Sequence, residues 1–211
     1  MRLSLPDMSV KLGSLRIEIS YPLAAAMSLV LIYDKSMSAA LCFLAVLVHE
    51  SGHLFFLHRF GAFPRAIRLT LFDIAIVDRK KPLRSVPSEL AVTLGGIGFN
   101  LAAAVLSIIA GAVGVISCAY SFAAANLSLA VFNSLPADSL DGGQALFLLL
   151  CQRFSPDRAF LILDIISFSV LIPCCVAGFM LLLRSCYNFS LLLSSLYLIA
   201  LILIRRKGLP V

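Results

Sequence analysis

A chain of 211 residues that is 61% hydrophobic and only 13% charged, with a mean hydropathy of +1.02, lies far from soluble domains, in which about a quarter of residues carry charge. At roughly 20 apolar residues per crossing it has room for about six spanning helices with short connections, and none for a separate soluble domain. The excess of 17 basic over 11 acidic residues, net +6, has no solvated face to spread over, so it argues against a nucleic-acid partner and reads as membrane topology.

The first twenty residues scatter Arg2, Asp7, Lys11, Arg16 and Glu18 along the chain. They contain no apolar core of signal-peptide type, so the N-terminus is expected to be retained. Within them, residues 15–19 alternate apolar and polar side chains in part, the period of a half-buried strand. Apolar runs follow at 21–33, 38–57, 87–113, 115–135 with a continuation to 151, 159–183 and 189–204, giving six spans of which the first is short. Between the second and third runs, residues 68–78 again alternate in part; with 15–19 they form either an interfacial linker or a small sheet or hairpin at the membrane surface, whose edge an extended peptide could join. The fold class is therefore an all-α polytopic membrane protein of about six transmembrane helices, with a small cytoplasmic strand or hairpin element at the membrane surface.

Alternate connections lie on the same side of a six-span protein. One side then collects 15 basic residues, seven of them between the second and third runs, and the other collects 2. The positive-inside rule places both termini in the cytoplasm, in a chain integral to the cell membrane. The six cysteines (Cys42, Cys118, Cys151, Cys174, Cys175, Cys186) show no C-x-x-C spacing, and those inside apolar runs behave as small hydrophobes rather than as a disulfide framework.

Ionisable residues within a spanning helix are costly and mark function. The second run carries His49, Glu50 and His53 together, as Val48-His49-Glu50-Ser51-Gly52-His53-Leu54. H-E-x-x-H on a helix puts two imidazoles one turn apart on one face, both able to reach a single tetrahedral Zn²⁺, with Glu50 positioned to work on a metal-bound water. The third histidine, His58, sits beside Arg59 at the end of the run and reads as an interfacial polar side chain.

A hydrolytic zinc needs a third protein ligand and an open position. Asp141 is one candidate. It lies in a stretch from Asn133 through Pro136 to Gly142 and Gly143 that interrupts the fourth run, and such a broken helix is tolerated in a membrane only where it is buried in protein or lines a wet cavity. Asp164, in an uninterrupted run, is the rival ligand, with snorkelling or helix pairing as its alternative role.

These residues resemble the site-2 protease family of intramembrane zinc metalloproteases. Its metal motif is similar to His49-Glu50-Ser51-Gly52-His53, and its second motif resembles Asn133, Pro136 and Leu140-Asp141-Gly142-Gly143, with Asn126 upstream. The intermediate helix of the family is similar to Gly95-Gly96-Ile97-Gly98-Phe99-Asn100, although Ile97 stands where proline is common, and Gln144 replaces a basic residue that often follows the two glycines. The resemblance covers the chain as a single domain over 1–211, without a PDZ insertion or a nucleotide-sensing tail, in a minimal six-helix layout similar to the bacterial sporulation-type branch.

The resemblance implies His49, His53 and Asp141 as zinc ligands and Glu50 as general base. It implies hydrolysis of a peptide bond in or near a membrane segment of a membrane-associated protein substrate, as in the release of a membrane-associated regulatory factor, and it leaves room for a regulatory membrane protein as a further partner besides the lipid bilayer. A helical substrate must unwind before its carbonyls are accessible. Asn133, whose amide both donates and accepts hydrogen bonds, and Pro136 are the candidates to bind the unwound backbone. The rival readings are a catalytically inactive scaffold that binds the same segment, against which the intact metal motif argues, and a metal or proton transporter, which would need ionisable groups strung across the whole membrane.

Overall fold

The computed structural model describes residues 7–12, 15–34, 36–62, 64–69, 74–78, 85–114, 118–185 and 190–206. Four strands, β1 (Asp7–Leu12), β2 (Leu15–Ser20), β3 (Pro64–Leu69) and β4 (Ile74–Asp78), accompany seven helices: α1 (Tyr21–Tyr33), α2 (Ser38–Arg59), α3 (Val86–Ala112), α4 (Ala119–Asn133), α5 (Asp141–Leu150), α6 (Pro156–Ser185) and α7 (Ser190–Arg206). Each of the six apolar runs contains a helix among its described residues, and the fourth is divided into α4 and α5 as its proline and glycines predict. The chain is an integral membrane protein in which α2, α3 and α6 are each long and apolar enough to cross a bilayer alone, with α1, α5 and α7 as shorter apolar helices. The basic residues Arg2, Lys35, Arg79, Lys80, Lys81, Arg84 and Lys207 lie outside the described residues.

The partial alternations correspond to a four-stranded sheet of order β1-β2-β3-β4. The stretch 68–78 spans the end of β3 and all of β4, with 70–73 outside the described residues, so a single alternating pattern in sequence is two antiparallel strands in space. Strand β1, which the sequence pattern did not announce, pairs antiparallel with β2 from Asp7↔Ser20 to Leu12↔Leu15. β2 and β3 are parallel, Arg16 opposite Ala66 and Ile19 opposite Leu69. A parallel pair requires a crossover, and here the helical hairpin α1–α2 supplies it. The start of α1 and the end of α2 therefore lie at the same side of the molecule, the side of the sheet.

Local sequence sets the ends of α2. On the sheet side the helix stops at Gly61, whose φ of 73° is open to glycine without a Cβ penalty. Gly61 N–H donates to His58 O at 3.0 Å and Ala62 N–H to Leu57 O at 2.9 Å, the paired bonds of a Schellman stop. Leu57 and Ala62 are both buried there, which fixes the exit of the chain toward β3. Opposite α2, α3 continues through Ile97 from Val86 to Ala112 as one helix, in keeping with the absence of proline at that point.

Helices α2, α3 and α4 pack on one another, and α5 joins them through α3. The break at 134–140 is covered from the other side: Ala137 and Leu140 are buried against Leu171 of α6 and Leu198 and Ile202 of α7, and Ser167 Oγ of α6 donates to Pro136 O. Backbone bonds Ala137 N–H to Leu135 O and Leu140 N–H to Ala137 O, both 2.8 Å, satisfy further groups of the irregular segment. Such accounting is required of any non-helical backbone at membrane depth.

Candidate metal centre

The two histidines of α2 point at the crossing with α3. Gly52, between them, meets Gly95 and Gly96 so closely that a Cβ on Gly52 would overlap the carbonyl of Gly95. Glycine at this crossing lets the two backbones touch, and that contact brings α3 groups within reach of both imidazole rings. Nδ1 of His53 lies 2.8 Å from Val92 O. A carbonyl only accepts, so this nitrogen carries the proton and Nε2 keeps its lone pair.

The tautomer of His49 is fixed in the same way through an amide. Asn100 Nδ2 donates to Ala45 O at 3.0 Å, which turns Asn100 Oδ1 toward His49 Nδ1, 2.6 Å away. Nδ1–H of His49 donates to that oxygen, and Nε2 is again left with a lone pair. Both histidines are thus set in the form that binds a metal through Nε2 while the other nitrogen is held by the protein.

Asp141, the first residue of α5, completes the group. Its Oδ2 lies 3.0 Å from His49 Nε2 and 3.3 Å from His53 Nε2, and the two Nε2 atoms are 3.2 Å apart. Asp141 Oδ2 is buried and has no hydrogen-bond donor among the described residues. Three lone-pair donors facing one another at these distances repel unless a cation lies between them. Ligand atoms about 2.0–2.1 Å from a tetrahedral zinc are themselves about 3.3–3.4 Å apart, close to the observed triangle, so the donor set fits zinc in both chemistry and spacing. The floor of the triangle is Gly96, where a Cβ would lie 2.6 Å from His53 Nε2 and 2.7 Å from His49 Nε2.

Close backbone contacts also bring Asp141 into place. A Cβ on Gly142 would overlap Ser134 O, and one on Gly143 would overlap Ala137 O, so the two glycines let α5 start against the folded break. With His53 six residues from the end of α2, the centre lies about 9 Å of helix in from the sheet side.

The structure brings His49, His53 and Asp141 together as the metal-capable group among the described residues, and Asp164 is not part of it. Asp164 is buried on α6, which favours helix pairing over snorkelling. Glu50 is half-buried on the turn of α2 that carries His49. Asn133 ends α4, its Nδ2 donating to Leu129 O at 3.1 Å, and Pro136 lies in the break that leads to Asp141. His58 is exposed in the last turn of α2. Sequence reasoning did not identify Val92 O, Gly96 or the bond from His49 to Asn100. A usable signal was present, because asparagine inside an apolar span is as anomalous as a charge and calls for a polar partner.

The fold and the site together define a polytopic helical membrane protein with a partly buried group of two histidines and one aspartate. No protein-family model matches the chain, and no curated protein matches it in sequence. Among solved structures it shares its fold with a site-2 protease from Methanocaldococcus jannaschii, at a TM-score of 0.64 and 21% identity over 92% of each chain.

Proposed function

We propose that this protein is an intramembrane zinc metalloprotease that hydrolyses a peptide bond in or beside a membrane segment of a membrane-associated protein substrate. The observation that carries the reading is the triangle of lone pairs at 3.0–3.3 Å from His49, His53 and Asp141, with both histidine tautomers fixed by Asn100 and Val92. Its shared fold with a site-2 protease supports the same reading.

Zinc at such a centre supplies a Lewis acid that activates water and polarises the scissile carbonyl. Glu50 accepts the proton of the attacking water and passes it to the nitrogen of the departing amine. The burial of His49 and the packing of α2, α3 and α4 keep lipid from the donor atoms, and water enters from the nearer, sheet-side end. Substrate must arrive with its helix locally unwound. Asn133 and Pro136, at the break that precedes Asp141, are the groups for its extended backbone, with the Asn133 amide offering a further N–H and its carbonyl oxygen.

The test is cleavage of a panel of tagged membrane substrates by purified protein, with Glu50→Gln as the comparison. That variant keeps volume and a hydrogen-bonding oxygen but cannot take a proton at neutral pH, so it should retain zinc and lose turnover by several orders of magnitude. A variant that holds zinc and cleaves at a comparable rate would remove Glu50 from the mechanism. The topology belongs to the same proposal: both termini face the cytoplasm with the sheet, a reading supported by 15 basic residues on that side against 2 on the other. Reporter fusions at Val211 and in the Lys35 connection should report opposite sides.

A further inference from the structure

Two asparagines are completely buried in the apolar interior, Asn100 on α3 and Asn126 on α4, each 0% exposed. They are bonded in series. Asn126 Nδ2 donates to Phe122 O at 2.9 Å, and Asn100 Nδ2 donates to Asn126 Oδ1 at 2.8 Å as well as to Ala45 O. Asn100 Oδ1 then accepts from His49 Nδ1–H at 2.6 Å.

The direction of this chain is dictated from its far end. Phe122 O can only accept, so the amide of Asn126 must turn its NH₂ toward it and its oxygen toward α3. Asn100 meets an acceptor there and another in Ala45 O, which together use both of its N–H groups and leave only its oxygen for His49. A reversed amide at either position would set two acceptors or two donors face to face in a fully buried site, where an unpaired polar group is costly.

We infer that Asn126 is a positioning residue for the metal centre: acting through Asn100, and without touching a metal-binding atom, it holds His49 in the tautomer whose Nε2 lone pair faces Asp141 and His53. This rests on the zinc reading above for its purpose, but its structural content does not depend on metal. Without Asn126, Asn100 keeps one acceptor in place of two and has an orphaned N–H beside the histidine. Ala45 O then holds the amide alone, the orphaned N–H lowers the cost of turning it, and His49 gains access to the tautomer with its proton on Nε2, where it blocks the ligand position.

Two readouts on purified full-length protein in detergent test this. The chain has three histidines, so ring-¹⁵N labelling of zinc-free protein reports the His49 tautomer directly. Zinc affinity is measured against a competing chelator. Wild type should show His49 protonated at Nδ1. Asn126→Ala should show a mixture of tautomers and bind zinc about 10–100-fold more weakly, the usual effect of losing an outer hydrogen-bond partner. Asn126→Leu, which keeps the branching and the number of side-chain heavy atoms of the native residue, tests the same loss should the alanine variant fail to fold. Asn126→Asp, whose neutral carboxyl presents an acceptor to Asn100 and an O–H to Phe122 O, should restore both readouts.

A substitution that lowers thermal stability and leaves the tautomer and zinc affinity at wild-type values would overturn the inference and reduce Asn126 to a helix-packing group. Wild type that binds no zinc overturns the metalloprotease reading instead, and the ¹⁵N spectrum still decides whether Asn126 sets the His49 tautomer.

Discussion

Around Gly52, α2 approaches α3 until backbone meets backbone, whereas toward its other end the same helix stands off from α4. There, Ser38, Cys42 and Val46 face Ala125, Ser128 and Phe132 across an apolar groove of about 470 Å³. The close crossing holds the donor atoms of the candidate metal centre. Backbone cannot move aside as a side chain can, so a contact between glycines fixes the α3 groups relative to the α2 rings to within tenths of an ångström, the tolerance that a metal site requires. The groove has no such duty, and its lining mixes exposed serine, cysteine and alanine with half-buried apolar side chains such as Val46 and Phe132.

The largest expected effect separates the two regions at the site itself. Gly96→Ala inserts a methyl group 2.6–2.7 Å from both Nε2 atoms. Both rings are held at Nδ1 and cannot retreat, so zinc affinity should fall by roughly 100-fold or more, the upper end of what loss of ring orientation costs. Competition with a chelator measures it, and an alanine variant that binds zinc like wild type would show that the floor of the centre yields.

Gly52→Ala acts one step away, on the crossing. Its methyl meets the Gly95 carbonyl, and overpacking of this kind costs about 1–3 kcal/mol. Ser128→Ala in the groove, where the side chain is exposed, should stay within about 0.5 kcal/mol of wild type. Thermal unfolding in one detergent compares the two directly. Equal effects would erase the contrast between the halves of α2.

Much of this was legible in the sequence because apolar runs and helical spacing act locally. The six runs, the shared face of His49 and His53, and the break before Asp141 follow from composition, a four-residue spacing and the placement of proline and glycine. What was not legible depends on pairings distant in sequence. That Asp141 and not Asp164 lies beside the two histidines comes from α5 starting against the break while α6 packs behind it. The pairing of β1 with β2 and the division of 68–78 between two strands depend on sheet register. Asn100 and Asn126 were conspicuous only as motif letters until α2, α3 and α4 put them in one chain of hydrogen bonds ending on His49.

The claim that His49, His53 and Asp141 hold the zinc is tested most directly by X-ray absorption at the zinc edge on the purified protein loaded with one equivalent of metal. Two imidazoles and a carboxylate predict nitrogen and oxygen neighbours at about 2.0–2.1 Å with the outer-shell scattering of two histidine rings. Sulfur at about 2.3 Å, from any of the six cysteines, or a spectrum unchanged in Asp141→Ala, would contradict it.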